Sequence, residues 1–194
     1  MTGSERSVEE RLAWFLDRAE IIDTCTRMHW YLDRKEWDRL EEVLAPEISV
    51  PTLAEFRSVR PGQAATGRAR PRGEFVAGLA VLMEGLTTQH LVGNHLVDID
   101  GDRASCYANA SNMHVGPPQI AENRVVHGSA YEYRLARTPD GWRITALNST
   151  PIWATGNEMV SSNGPRQDAY FAGLAQPAPT DGRPSSPGGG PPRP

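Results

Sequence analysis

The sequence has few cysteines, no long apolar run and no excess of basic residues, and each of these features excludes a class of protein. Its 194 residues include only Cys25 and Cys106, too few for a disulfide framework. No apolar run reaches the roughly 18 residues of a membrane-spanning helix. A net charge of −4 argues against general binding to nucleic acid. The first residues lack the basic and then apolar layout of a secretory signal. We therefore expect a cytoplasmic protein that binds neither nucleic acid nor a membrane.

Motifs for metals, nucleotides and activated serines are also missing. The sequence contains no HExxH, no CxxC and no cluster of carboxylates with metal-ligand spacing. It has no GxSxG elbow, no phosphate-binding loop and no dinucleotide fingerprint. We therefore expect no metal, no cofactor and a small-molecule ligand.

Proline and glycine divide the chain into parts. Residues 176–194 hold seven of the 16 prolines and four of the 18 glycines, a composition typical of a disordered segment. We predict a domain at residues 1–156 and a disordered Pro/Gly-rich tail at 176–194. The segment between them, 157–175, is a candidate C-terminal lid or helix.

Helical periodicity dominates the first half of the chain. Residues 8–32, 36–44 and 73–86 have the spacing of amphipathic helices. In the first helix the predicted buried stripe runs from Leu12 to His29. The arginine-rich residues 57–72 resemble a loop, either a solvated face or a lid that holds an anionic group of the substrate.

Alternating segments dominate the second half of the chain. The predicted strands are residues 89–100, 104–115, 124–137 and 142–149, with 47–56 as a poorer candidate. Helices followed by an antiparallel meander indicate an α+β fold. We expect the sheet to curl around the helices and to leave a pocket between them.

The inward faces of these strands carry polar residues where a plain core would be apolar. Strand parity directs His90, His114 and His127 inward from three neighbouring strands and places His95 on the opposite face from His90. The other polar residues predicted to face inward are Asn112, Ser129, Tyr131 and Asn148. A histidine on such a face is often a hydrogen-bonded core residue, but three that converge also suit acid–base chemistry.

The end of the first helix supplies a carboxylate to the same space. Asp33 and Tyr31 lie where a helix at residues 8–32 ends, and both could reach the pocket. A carboxylate partner tunes an imidazole for general acid–base catalysis near neutral pH. The residues alone therefore favour an acid–base site without a cofactor.

Four stretches carry a family resemblance. Residues 31–40 (YLDRKEWDRL) followed by Leu44-Ala45-Pro46, the His90 to Asn94 spacing, and the two turns at 100–104 and 140–144 resemble the scytalone dehydratase and SnoaL-like branch of the nuclear-transport-factor-two-like superfamily. The resemblance covers about residues 8–156. It implies a cone-shaped α+β barrel, with N-terminal helices packed in the concave face of a strongly bent, mainly antiparallel sheet.

The resemblance also implies site residues. In scytalone dehydratase an aspartate, two histidines and a tyrosine-held water carry the chemistry. The matching positions are Asp33, His90 and His114, and no cofactor is implied. Of the two tyrosines that hold the water, one is Leu32 here and the other falls near Thr52. The pair of tyrosines that holds the water is therefore not matched, whereas the acid–base residues are.

These observations predict a cofactor-independent dehydratase, cyclase or isomerase that acts on a small apolar cyclic or polyketide-like substrate in secondary metabolism. His90, oriented by Asp33, would take a proton, and His114 would deliver one. The predicted substrate-binding residues are Tyr31, Asn112, His127, Ser129, Tyr131, Asn148 and Trp153.

Two other functions fit the same pocket. An epoxide hydrolase needs a second inward carboxylate to activate water, and none is evident in the sequence. A non-catalytic ligand-binding or partner subunit needs the pocket alone. For all three functions we expect a homo-oligomer, a dimer or a trimer, because the exposed sheet surface of the fold that the resemblance implies often pairs with another copy.

Overall fold

The secondary structure of the described residues consists of two α-helices, a 3₁₀ helix and six strands. The computed structural model describes residues 7–50, 67–118, 122–157 and 160. Apart from Asn157 and Val160, the candidate lid and the tail lie outside the described residues. The elements are α1 (Val8–Arg34), a 3₁₀ helix (Trp37–Glu42), β1 (Leu44–Val50), β2 (Arg68–Pro71), α2 (Arg72–Leu82), β3 (Thr87–Asp100), β4 (Arg103–Val115), β5 (Arg124–Thr138) and β6 (Gly141–Gly156).

Helix α1 has clear start and stop signals. The Ser7 side chain accepts a hydrogen bond from the Glu10 backbone, and the Glu10 carboxylate accepts one from the Ser7 backbone, which forms a capping box. The helix ends at Arg34, and its C-cap residue Lys35 adopts a left-handed conformation with φ 60°. This end brings Asp33 to the edge of the sheet.

The predicted buried stripe of α1 is wrong in its first half. Leu12 and Phe15 are 57% and 61% exposed, and the buried side chains begin at Ile21 and continue to Leu32. The apolar period is present throughout, but the sheet covers only the second half of the helix. Periodicity reports which side chains share a face, and only tertiary packing decides whether that face is covered.

The sheet has the order β2-β1-β6-β5-β4-β3 and curves around the helices without closing. Strands β3 to β6 form the predicted antiparallel meander. The earlier strands extend it, since β1 pairs parallel to β6 and β2 pairs antiparallel to β1. Strand β2 lies in the predicted arginine-rich loop, and its four residues carry no apolar alternation that would have revealed it. The α+β prediction is confirmed.

A bulge in β3 reverses the face of His95. The pairing between β3 and β4 shifts between Gly93 and Leu96, and Asn94 adopts a left-handed conformation with φ 56°. The prediction that His95 lies opposite His90 is therefore wrong, because the bulge turns His95 inward. A glycine inside a strand, followed by asparagine, is the sequence signal of such a bulge.

A second bulge, in β6, reverses the face of Asn148. The β5–β6 pairing shifts so that Thr145 is the extra residue, and its hydroxyl donates to the Arg134 carbonyl. Beyond it Leu147 pairs with Tyr133 on the inner face, while Asn148 pairs with Glu132 on the outer face. No glycine or proline marks this bulge, so strand parity alone could not predict it.

The core lies between the helices and the concave face of the sheet. Its largest fully buried side chains include Ile21, Met28, Tyr133 and Trp142. The two free thiols, Cys25 and Cys106, are both buried in it. No helix in the described ranges is long and apolar enough to cross a membrane.

Candidate active site

A cavity of about 280 Å³ lies between the two helices and the inner faces of β3 to β6. One side is aliphatic and is formed by Met28, Leu32, Leu79, Leu82, Met83, Leu86, Leu147 and Pro151. The other side is polar and is formed by His29, His90, Asn112, His114, His127, Ser129, Tyr131 and Ser149. The volume lies at the small end of ligand-binding cavities. No lysine, arginine, aspartate or glutamate among the described residues lines it, so it suits a small neutral ligand.

A carboxylate–imidazole pair lies at one edge of this cavity. The Nδ1 of His90 is 2.6 Å from Oδ1 of Asp33, and the His90 backbone N–H donates to Oδ2 at 2.8 Å. The Thr88 hydroxyl donates to Oδ1 at 2.8 Å, and Lys35 in turn donates to that hydroxyl. The end of α1 and the start of β3 therefore hold the carboxylate through three donors.

The charge of Asp33 fixes the tautomer of His90. Burial acts to raise the pKa of Asp33, but the hydrogen bonds from His90 and Thr88 and the attraction to His90 lower it to about 2. An ionised carboxylate only accepts, so Nδ1 of His90 carries the proton and donates it to Asp33. In the neutral form of this imidazole Nε2 is the unprotonated nitrogen, which is the form that a general base requires.

Imidazole rings form a row along the cavity. The ring centroids of His90 and His114 are 5.7 Å apart, and those of His114 and His127 are 5.6 Å apart. Both ring nitrogens of His114 are buried without a hydrogen-bond partner among the described residues. Burial, reinforced by the neighbouring His90 and His127, lowers the pKa of His114 to about 4. His114 is therefore neutral in the free protein at pH 7.

A hydrogen-bonded group covers the floor of the cavity. The Asn112 amide donates to the Tyr131 hydroxyl at 2.9 Å and to Ser129 at 3.4 Å, while its own Oδ1 is buried without a partner among the described residues. Burial raises the pKa of Tyr131 to about 12, although Ser149 and Asn112 hydrogen-bond to it. The hydroxyl thus stays protonated, and the group presents neutral donors and acceptors. Ser149 belongs to this group because of the β6 bulge, which the sequence analysis missed.

His29 is a second site residue that sequence reasoning missed. It was placed on the buried stripe of α1, and it does lie there, but its ring also forms part of the cavity wall. Its Nε2 is 2.8 Å from the Tyr133 hydroxyl. The helical spacing of His29 and Asp33, four residues apart on one face, was the available signal.

Three predicted substrate-binding residues do not line the cavity. The Tyr31 hydroxyl donates to Glu42 and accepts from Arg39, outside the cavity. Asn148 lies on the outer face of the sheet, in a separate cavity of about 160 Å³. Trp153 is half exposed and lies flat over Gly128, where a Cβ would meet its indole at 2.1 Å. A further shift in the β5–β6 pairing, between Gly128 and Ser129, turns Trp153 outward.

The arginine-rich segment does not reach the described cavity. Arg57 and Arg60 lie outside the described residues. Arg68, Arg70 and Arg72 are described, and none of them lines the cavity. Arg72 instead donates to the Leu44 carbonyl. The described arginines therefore give no support to the expectation that this segment is a lid that holds an anionic group of the substrate.

Comparison with known proteins identifies the family and relatives of this fold. A family described as SnoaL-like domain matches residues 15–148. No curated protein matches the chain.

Solved structures match most of the chain. The Kfla4162 protein from Kribbella flavida is 26% identical, with a TM-score of 0.66, and the match covers 75% of this chain and 97% of that one. A protein from Novosphingobium aromaticivorans, provisionally assigned as a scytalone dehydratase, is 14% identical with a TM-score of 0.59 (74% and 89% covered). A hexachlorocyclohexane dehydrochlorinase, LinA type 2, is 15% identical with a TM-score of 0.56 (78% and 93% covered). The last two similarities concern the fold.

Proposed function

The chain belongs to the SnoaL-like domain family, whose fold is NTF2-like, and we propose that it is a cofactor-independent acid–base enzyme of the lyase type. The single observation that carries this proposal is the Asp33–His90 pair at the edge of a mainly apolar cavity. The family and its dehydratase-like structural relatives support an enzyme-like fold without a cofactor. The reaction we favour is a dehydration, cyclisation or isomerisation that begins with removal of a proton next to a carbonyl.

The first step uses the unprotonated nitrogen of His90. Nε2 takes a proton from the carbon beside the carbonyl, and the electron pair of that C–H bond forms an enolate. Asp33 remains ionised and stabilises the imidazolium that results, as a buried carboxylate does for a catalytic histidine. A positioned base of this kind contributes roughly 10²- to 10⁴-fold to the rate.

The second step returns the proton. In a dehydration the β C–O bond breaks, the enolate re-forms the carbonyl as the C=C bond appears, and hydroxide leaves as water with the proton from His90. In an isomerisation the same proton goes to another carbon. Because His114 is neutral, we propose that it donates a hydrogen bond to the leaving oxygen, and that His90 rather than His114 supplies the proton.

The substrate we propose is small, neutral and cyclic, of a kind found among polyketide-like compounds of secondary metabolism. The aliphatic side of the cavity supports a hydrocarbon ring. The polar side, with Asn112, Ser129 and His127, supports oxygen substituents on one edge of that ring.

A dehydration assay tests the proposal. We expect the full-length protein to convert 3-hydroxycyclohexanone or a larger β-hydroxy ketone to the enone, seen as loss of water by mass spectrometry. His90→Gln should abolish the reaction, whereas the matched control His95→Gln, on the same strand but outside the cavity lining, should keep it. Full activity in His90→Gln would refute the assignment.

Incubation of a cyclic epoxide in labelled water and prolonged incubation of a bound ketone separate the two other functions. Epoxide hydrolysis would add oxygen-18 from labelled water, and it needs a second inward carboxylate that the described lining lacks. A non-catalytic ligand-binding subunit would return every ligand unchanged after prolonged incubation.

We also propose a homo-oligomer, supported by apolar side chains on the outer face of the sheet. Leu96, Ile152 and Trp153 are exposed there. Light scattering should give a dimer or trimer at micromolar concentration, and a monomer would contradict it.

A cytoplasmic location is proposed on the state of the two thiols. Cys25 and Cys106 lie close enough to hydrogen-bond, yet both are free. Free neighbouring thiols are typical of a reducing compartment. Mass spectrometry after rapid alkylation of cells should find both thiols reduced, and a disulfide between them would contradict the proposal.

A further inference from the structure

His29 contacts the cavity from α1 and has one ring nitrogen without a partner. Its Nε2 bonds to the Tyr133 hydroxyl, while its Nδ1 is buried and has no hydrogen-bond partner among the described residues. The two nitrogens of an imidazole point in divergent directions, so Nδ1 points away from Tyr133, which does not line the cavity. A buried polar atom without a hydrogen-bond partner destabilises the fold. A buried ring nitrogen that lacks a protein partner beside a cavity points to an atom of the ligand as its hydrogen-bond partner.

The Tyr133 hydroxyl decides which nitrogen of His29 carries the proton. Burial raises the pKa of Tyr133 well above its usual value, so the hydroxyl stays protonated. Among the described residues its hydrogen-bond partner is Nε2 of His29. We assign the O–H as the donor of this bond, because the hydroxyl hydrogen would otherwise have no acceptor among those residues. A neutral imidazole has one N–H, which must then lie on Nδ1. The unpartnered nitrogen is thus a donor.

His29 stays neutral while it donates. Burial, reinforced by the neighbouring His90, lowers the pKa of His29 to about 3. A neutral imidazole N–H polarises a carbonyl without giving up its proton, as in enzymes that use a histidine of lowered pKa as an electrophile. The group is suited to stabilise an enolate oxygen.

Because His29 lies beside His90, a ligand that contacts both must carry an acceptor atom close to the proton that is removed. Its ring centroid is 5.0 Å from that of His90 and 4.8 Å from that of Tyr131. A carbonyl oxygen and the proton on the adjacent carbon are separated by a few ångströms, so neighbouring imidazoles can contact both. The described lining carries no lysine or arginine, which favours a neutral carbonyl over a carboxylate.

We propose that the Nδ1–H of His29 binds the carbonyl oxygen of the substrate, a neutral cyclic ketone, while Nε2 of His90 takes the proton from the adjacent carbon. This inference rests on the proposed function and deepens it, since it names the group that the substrate must carry and the residue that holds it. No described arginine, lysine or metal-ligand cluster competes for that role in this cavity.

Infrared spectroscopy of a bound probe tests the inference apart from catalysis. The probe is cyclohex-2-en-1-one with a carbon-13 carbonyl, bound to the full-length protein. A hydrogen bond lowers the carbonyl stretching frequency, so we expect a lower frequency in the wild type than in His29→Leu. His29→Gln, which keeps an N–H donor, should lie between them. In Tyr133→Phe the hydroxyl no longer holds the proton of His29 on Nδ1, so the carbonyl frequency should rise toward that in His29→Leu.

The outcomes are distinct. An equal carbonyl frequency in the wild type and His29→Leu overturns the inference, as does failure of the wild type to bind the probe at millimolar concentration. If His29→Leu does not fold, an unchanged frequency in Tyr133→Phe overturns it instead. His29→Leu should also slow deuterium exchange beside the probe carbonyl by roughly 10²- to 10³-fold.

Failure of the proposed function would appear in the rate of deuterium exchange and not in the carbonyl frequency. Exchange in D₂O that is unaffected by His90→Gln contradicts the acid–base assignment but leaves the carbonyl frequency lowered by His29. A lowered frequency with no exchange in the wild type makes the protein a ketone-binding subunit with the same His29 contact.

Discussion

Two polar groups face the same cavity, and they differ in how completely their hydrogen bonds are satisfied. Around Asp33 the carboxylate accepts from the ring and backbone of His90 and from Thr88. Around His29 and His114, three buried ring nitrogens have no partner among the described residues. The difference separates atoms that the protein itself holds in place from atoms that we infer to be the hydrogen-bond partners of a ligand. In our proposal the first group is the prepared base, and the second is the surface that recognises the substrate.

Electrostatics separates the two groups in the same way. The hydrogen bonds around Asp33 outweigh its burial and keep it charged, with a pKa of about 2. Burial without such partners keeps His29 and His114 neutral, with pKa values of about 3 and 4. One cavity therefore holds a fixed charge at its edge and neutral imidazoles along its wall.

The largest effect we expect is a loss of stability in mild acid. Unfolded histidines bind protons below about pH 6.5, whereas folded His29 and His114 do not until about pH 3 and 4. The unfolded state then binds more protons, so stability falls as pH falls from 6.5 toward 4. From pH 7 to 4.5 the two histidines should remove about 5 kcal/mol from the free energy of unfolding, measured with urea.

His29 and Asp33 contribute to this pH dependence with opposite signs. His29→Gln should reduce the pH-dependent loss by about half. Asp33 has the opposite sign, since its depressed pKa stabilises the fold above pH 4 and that contribution is lost only as pH falls toward 2. Stability that stays constant from pH 7 to 4.5 would show that the imidazoles are not held neutral.

Removing the charge of the prepared base should have the next largest effect. Asp33→Asn keeps the size of the side chain but no longer fixes the proton of His90 on Nδ1. We expect the rate of deuterium exchange beside the carbonyl of cyclohexenone to fall roughly 10²- to 10⁴-fold. Asp98→Asn, which removes a carboxylate outside the cavity lining, is the matched control and should exchange at the wild-type rate.

A smaller effect should follow from removing one donor to the carboxylate. Thr88→Val deletes the hydrogen bond to Asp33 while it keeps the shape of the side chain. The carboxylate keeps its two bonds from His90, so we expect the pKa of Asp33 to rise and the exchange rate to fall about 10-fold, which corresponds to one hydrogen bond to a charged group. An NMR titration of Asp33 with no change in pKa would show that Thr88 does not support it.

The smallest effect should come from Asn148, which strand parity assigned to the site. The structure places its side chain on the outer face of the sheet. Asn148→Ala should therefore change the exchange rate less than about twofold, whereas Asn112→Ala, in the cavity floor, should weaken binding of cyclohexenone. A loss of activity in Asn148→Ala equal to that in Asn112→Ala would restore the parity assignment.

Periodicity and turn signals predicted most of the fold. They also predicted the site residues that lie on strands without bulges. In β4 and β5 no bulge interrupts the pairing between Arg103 and Val115, and parity placed Asn112, His114 and Ser129 correctly on the inner face. Asp33 followed from the end of a well-capped helix. These positions depend on local geometry, which the sequence encodes directly.

The residues that the sequence misplaced depend on strand bulges and on packing by distant parts of the chain, which local patterns do not show. The Gly93 bulge had a signal, but the Thr145 bulge had none. Each reversed the faces of the side chains that follow it, in β6 as far as the second shift in its pairing, between Gly128 and Ser129. The neutral state of His114 depends on burial by distant elements and changes its proposed role. The donor role of His29 depends on Tyr133, 104 residues away.

Nitrogen-15 NMR of the histidine rings at pH 7 tests the central claim most directly. The account predicts that His90 carries its proton on Nδ1, hydrogen-bonded to Asp33, with Nε2 unprotonated, and that Asp33→Asn removes this preference. His29 should also be protonated on Nδ1 but without a partner in the free protein. A His90 proton on Nε2, or an imidazolium that persists at pH 7, would contradict the assignment of the Asp33–His90 pair as the prepared base.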